Sequence, residues 1–118
     1  MSAESATPCL FCKIIAGDIP VERLHEDAET LAFADIHPQA PVHILVIPKR
    51  HIASHADALP ADAGLLGSLL AAAGEVARSQ NLVSGYRLVI NTGADGGQTV
   101  EHLHVHVLGG RPMGWPPG

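Results

Sequence analysis

The chain has 118 residues, 47% of them hydrophobic, which suits one small domain with a real core. Its formal net charge of -5 with histidines neutral lacks the basic face that broad nucleic-acid binding requires, though local donors can still hold a single phosphate. No stretch approaches the roughly 20 apolar residues of a membrane span, and the polar start from Met1 to Pro8 has neither a basic nor an apolar signal region, so a cytoplasmic protein is expected.

Residues 1–8 read as a flexible arm, followed by a domain over residues 9–118. Leu10, Phe11, Ile14 and Ile15 recur at helical spacing, and Gly17 is a natural stop, so a short helix is predicted over 10–16. Two strands are predicted at Val21–His25 and Thr30–Ile36, joined by a turn through Glu26–Glu29. Pro38 and Pro41 bracket a loop, and His43–Ile47 reads as a third strand ending at Pro48. Pro60 to Gln80 is the one long helix. Proline suits its first turn, Asp62 lies near its positive end, and Asn81 can close it. Leu65, Leu66, Leu69, Leu70, Ala73, Val76 and Ala77 are its predicted apolar face, a core stripe rather than a membrane or cofactor helix. Tyr86–Asn91 and Val100–Leu108 are the last strands, separated by a glycine-rich loop. The tail holds Pro112, Pro116 and Pro117 and is predicted to be extended. Strands outnumber helices and connections are short, which predicts an antiparallel α+β domain. A domain this small leaves much apolar surface in water, which dimerisation would relieve.

Side chains alternate along a strand, so His102, His104 and His106 share one face while Leu103, Val105 and Val107 point into the core. Three imidazoles in a row, roughly 6–7 Å apart, have no packing reason to be there. One catalytic zinc on three histidines is a possible reading, but a row longer than about 12 Å suits a single metal poorly. A phosphate with its leaving group fits the row better. The loop Asn91-Thr92-Gly93-Ala94-Asp95-Gly96-Gly97-Gln98-Thr99, leading straight into the row, supplies backbone N–H groups and short polar side chains suited to phosphate. It is not a Walker loop. Cys9-Leu10-Phe11-Cys12 has metal-ligand spacing, with a redox pair or two free thiols as the other readings.

His102-Leu103-His104-Val105-His106-Val107-Leu108 matches the pattern His-φ-His-φ-His-φ-φ, and the sequence resembles the histidine-triad (HIT) superfamily. Phe11–Ile15, Leu31–Ile36, Pro38–His43, Val46–Ile52 and Asp95–Val100 extend the likeness over nearly the whole chain. Gly109-Gly110-Arg111 and Trp115-Pro116-Pro117-Gly118 resemble the Hint branch rather than the diadenosine-polyphosphate branch. The resemblance implies a five-stranded antiparallel sheet with one long and one short helix, and a homodimer whose sheets join into ten strands. It implies hydrolysis of purine nucleoside 5′-phosphoramidates through a nucleotidyl-histidine; a diadenosine polyphosphate hydrolase and a nucleotide-binding scaffold are the alternatives.

By the same resemblance His104 is the nucleophile, and His43 and His106 line the site, with His106 on a phosphate oxygen. Thr99 faces the leaving amine, where the family usually has serine. Asn91, Gly97 and Gln98 hold phosphate and ribose, and Asp35 accepts the ribose hydroxyls. Leu10, Phe11, Ile14, Ile19, Phe33 and Ile36 form the base slot, and Trp115 reaches toward the partner's site. The members with a Cys-x-x-Cys pair resemble zinc proteins, which implies a structural zinc on Cys9, Cys12, His51 and His102.

Overall fold

The computed structural model describes residues 9–118; the predicted arm at 1–8 lies outside the described residues. Two helices and five strands follow one another as α1 (Leu10–Ala16), β1 (His25–Glu26), β2 (Thr30–Ala34), β3 (Val42–Pro48), α2 (Ala63–Ser79), β4 (Tyr86–Val89) and β5 (Val105–Gly109). The strands form one antiparallel sheet in the order β1-β2-β3-β5-β4, the predicted architecture. Among the described residues no helix is long and apolar enough to cross a membrane.

Both helices end where the sequence predicts. Gly17 takes a left-handed φ of 88°, and the N–H groups of Gly17 and Asp18 return to the carbonyls of Ile14 and Lys13. Asn81, at φ 59°, does the same for α2, with Asn81 and Leu82 bonding Arg78 and Ala77. Each is the paired C-terminal closure that satisfies carbonyls left without helical partners. Pro60–Asp62 forms a 3₁₀ turn that leads into α2, where the Asp62 carboxylate accepts the Leu59 N–H.

The sheet separates two apolar clusters. On one face α2 buries Leu65, Leu69, Ala72, Ala73, Val76 and Ala77 against Ala32, Ile44, Val46, Leu103, Val105 and Val107. On the other, α1 packs Phe11 and Ile14 on Leu31, Phe33, Leu45 and Ile47, with Ile19 beside them. Leu70, predicted on the buried face of α2, is instead 49% exposed, and Ala72 occupies the stripe.

Four strand predictions shorten, that at Thr30–Ile36 by two residues, since β2 ends at Ala34 and the Asp35 carboxylate turns back to the His37 N–H. Residues 21–24 are not in a strand, because the Arg23 guanidinium donates to the carbonyls of Ile14 and Ile15 and holds the segment along the end of α1. Asp27 then makes the turn into β2. Although partial burial opposes its ionisation, bonds from the Glu29 N–H, the Thr30 hydroxyl and N–H, and His25 hold its carboxyl far below the usual range. β4 stops at Val89, because the Asn91 side chain turns to the Gly96 carbonyl and closes the glycine loop. β5 begins only at Val105, paired with Val46. Pro48 has no N–H to extend that ladder, and its carbonyl accepts the ring of His102. The tail is tied back by Arg87 on the Gly114 carbonyl and Arg111 on the Gln39 carbonyl.

Leu69 is 1% exposed at the centre of the α2 stripe. Leu69→Ala is expected to cost about 2–5 kcal/mol, read as a lower urea midpoint with an unchanged slope.

Candidate active site and metal centre

The histidine row occupies the face opposite α2, but only His106 lies in a strand; His102 and His104 precede it. Alternation nevertheless persists through residue 102, since Leu103, Val105 and Val107 all enter the helix-side core. The rings lean together, with the His104 and His106 centroids 5.0 Å apart rather than the 6–7 Å of straight projection. The Phe11 ring stands edge-on to both His104 and His102, at 5.3 and 5.8 Å.

A neutral imidazole has one N–H, and each ring's partners assign it. His102 Nε2 lies 2.9 Å from the Pro48 carbonyl and must donate, leaving a lone pair on Nδ1. His104 Nδ1 lies 2.7 Å from the His102 carbonyl and must donate, leaving the lone pair on Nε2. His43 Nδ1 accepts the Gln39 N–H at 3.0 Å, so its Nε2 carries the proton and donates to His106 Nδ1 at 2.8 Å. His106 then holds its proton on Nε2. An Nε2 lone pair on His104 therefore lies beside an Nε2–H donor on His106, the pair that attack at phosphorus and support of a phosphate oxygen require.

Burial, then the neighbouring His104 and His43 rings, lower His106 to about 4, with the Asp35 carboxylate opposing. Burial also lowers His43, against the same carboxylate. Burial lowers His102 to about 4, reinforced by His51 and His104 and opposed by the Pro48 carbonyl. These three rings are neutral near pH 7, as the bonding pattern requires.

Among the described residues, two groups of side chains have metal-ligating atoms within 4.8 Å of one another: Cys9, Cys12, His51 and His102, and Asp35, His43 and His106. The first fits a tetrahedral ion. Cys9 Sγ and Cys12 Sγ lie 3.3 and 3.6 Å from His102 Nδ1, Cys12 Sγ lies 3.4 Å from His51 Nδ1, and the two Nδ1 atoms are 3.1 Å apart. Zinc bonds of about 2.0–2.1 Å to nitrogen and about 2.3 Å to sulfur give tetrahedral edges of about 3.4 and 3.6 Å. Burial, then the adjoining Cys9 sulfur, push the Cys12 thiol up to about 11, so this thiol ionises at neutral pH only with a cation beside its sulfur. The second group does not fit as well. Its His43 Nε2 carries a proton toward His106 and lies 3.4 Å from Asp35 Oδ2, so it is a hydrogen-bonded relay without the lone pair that a metal needs.

The remaining predicted site residues divide. Phe11, Ile14, Phe33 and Ile19 share one cluster, whereas Leu10 is 49% and Ile36 84% exposed. Asp35 turns one carboxylate oxygen to the His37 N–H and the other to His43. The Gln98 amide donates to the Ala53 and Val100 carbonyls and accepts the Gly93 N–H, so with Asn91 it holds the loop in shape. Gly97 sits in that loop at φ 77°, and Thr99 is exposed just after it. Trp115 is 84% exposed. Sequence reasoning missed the Pro48 carbonyl and the Gln39 N–H. Both are backbone groups, which no side-chain pattern announces.

A family model described as HIT domain matches residues 16–113, and the chain belongs to this family. It is 54% identical over 109 residues to an uncharacterized HIT-like protein of Synechococcus elongatus, covering 92% of this chain and 96% of the relative. A crystal structure of a HIT family hydrolase from Legionella pneumophila is 52% identical, with a TM-score of 0.91 over 94% of this chain and all of that one. A histidine triad nucleotide-binding protein from Candida albicans is 35% identical, with a TM-score of 0.78 over 92% of this chain and 83% of that one.

The depressed histidines fix the direction of acid sensitivity. Folded His106 and His43 bind protons less readily than in the unfolded chain, so stability is full above about pH 6.5 and falls as pH drops from there toward about 4. Thermal midpoints across that window should fall for the native chain and fall less for His106→Asn; equal slopes would contradict the assignment.

Proposed function

We propose that the chain is a Hint-type HIT hydrolase that cleaves purine nucleoside 5′-phosphoramidates, with residues 9–118 acting as one domain. One observation carries the reading: the 2.7 Å contact of His104 Nδ1 with the His102 carbonyl leaves its Nε2 lone pair beside the His106 donor. The hydrolase and nucleotide-binding descriptions of the Legionella and Candida proteins support it.

In this mechanism His104 Nε2 attacks the α-phosphorus, the P–N bond breaks, and the amine leaves with a proton taken from solvent water, Thr99 lying nearest to it. The phosphoryl-imidazolium keeps its Nδ1–H on the His102 carbonyl, which opposes the new positive charge. Water then attacks phosphorus and gives up a proton to solvent, the P–Nε2 bond breaks with its electron pair returning to His104, and the nucleoside monophosphate departs. His106 Nε2–H supports a phosphate oxygen, and His43 holds His106 in the donor tautomer. Asn91 and Gln98 shape the loop that presents Gly97 to phosphate and ribose, and Asp35 accepts ribose hydroxyls. Phe11, Ile14, Ile19 and Phe33 line the purine slot, with Leu10 and Ile36 at its rim.

Zinc is the ion assigned to Cys9, Cys12, His51 and His102. With four protein ligands no position stays open for water, so its place is structural. A second copy of the chain is assigned to β4. That strand is a sheet edge, and Tyr86, Leu88 and Ile90 are 45%, 36% and 39% exposed. Pairing two such edges makes the ten-stranded sheet. The protein is placed in the cytoplasm, without nucleic-acid or membrane partners.

His104→Gly should lower hydrolysis of adenosine 5′-phosphoramidate by about 10³-fold or more and abolish the covalent nucleotide trapped by acid quench. Retained turnover overturns the mechanism. Leu88→Asp should convert a dimer to a monomer by sedimentation at micromolar concentration, and an unchanged dimer places the interface elsewhere.

A further inference from the structure

We propose that the Cys9, Cys12, His51 and His102 cluster, when it holds its ion, is a positioning device for His104, and that His102 is the residue through which it acts. The inference rests on reading His104 as the nucleophile and adds a second role to a site otherwise structural.

The connection is one residue long. His102 is fully buried and gives its Nδ1 to the cluster, its Nε2–H to the Pro48 carbonyl and its own carbonyl to His104 Nδ1. That carbonyl is the only partner that the described residues offer to His104 Nδ1. It belongs to a peptide that no sheet ladder holds, because β5 pairing with β3 begins at Val105. The same peptide donates its Leu103 N–H to the Ile52 carbonyl at 2.7 Å, which holds one side of the peptide plane. The direction of the His102 carbonyl is therefore set from two sides, by that bond and by how the His102 ring is clamped, and the ring is clamped at one end by the cluster.

A second arm runs through α1. Cys9 caps that helix, its Sγ accepting the Cys12 N–H at 3.3 Å, and the helix carries Phe11 edge-on to the His104 ring. The two cysteines thus seat the wall against which the nucleophile rests. An ion joining Cys9 and Cys12 to His102 locks the wall and the carbonyl to each other. Without it, only packing and the weak contacts of Cys9 Sγ and Cys12 Sγ with His102 Nδ1, at 3.3 and 3.6 Å, join them, and the His104 ring can turn or exchange tautomer.

The test compares zinc-loaded protein, protein stripped with a chelator, and His51→Asn, whose exposed side chain is the ligand least involved in packing. Long-range proton–nitrogen spectra of the histidine side chains report the His104 tautomer without substrate. Loaded protein should show one His104 tautomer, protonated on Nδ1. Stripped protein and His51→Asn should show a mixture, with kcat lower by roughly 10–100-fold and KM within about twofold. Zinc added back to stripped protein should restore both readouts; cysteine-to-serine variants provide the same comparison if His51→Asn does not fold. A single Nδ1–H tautomer with unchanged kcat after stripping, together with a lower thermal midpoint, would show a merely structural site and overturn the proposal. So would failure to bind about one zinc per chain. If no phosphoramidate is turned over by any form, the functional reading fails, while the tautomer comparison still decides this one.

Discussion

Each neutral imidazole has one proton to place, and in this fold the backbone places it. Pro48 and His102 carbonyls fix two rings, and the Gln39 N–H fixes a third, which in turn fixes His106. Four histidines with the same intrinsic chemistry acquire four different faces. One turns a lone pair toward cysteines, one keeps a lone pair on Nε2 beside the His106 ring, one donates to its neighbour, and the last is left as a donor. The protonation pattern needs burial to survive, because a charged ring donates from both nitrogens and erases the distinction. The desolvation that lowers His102, His43 and His106 is thus part of the site's construction.

The same burial explains how the two sides of the sheet cooperate. Leu103, Val105 and Val107 anchor the histidine segment in the α2 core, so its other face has no freedom to slide. A one-residue slip would send three imidazoles into hydrocarbon and three aliphatic side chains to the site. The register is therefore specified by the core, and the chemistry inherits it.

Much of this was legible in the residues. The alternation of His and aliphatic positions gave the correct faces, and Gly17 and Asn81 marked helix ends because few residues adopt positive φ cheaply. The Cys-x-x-Cys spacing and the superfamily likeness named four side chains that the fold does bring together. What stayed hidden was long-range or backbone in origin. Arg23 shortens a strand by reaching carbonyls eight and nine residues away, and Pro48 truncates β5 from a neighbouring strand. Leu70 and Ile36 look like core residues by type and are exposed by position, which periodicity over one segment cannot reveal. Asn91 and Gln98 carry polar groups suited to ligand, yet those groups close their own loop.

Arg111 has one more consequence. It grips the carbonyl of Gln39, the same residue whose N–H sets the His43 tautomer, within a loop already stiffened by Pro38 and Pro41. Ordering a loop residue costs about 1–2 kcal/mol in conformational entropy. With a proline on either side and a guanidinium holding it from the tail, that cost falls on folding rather than on the arrival of substrate, so the affinity of the site for its ligand is not reduced by it.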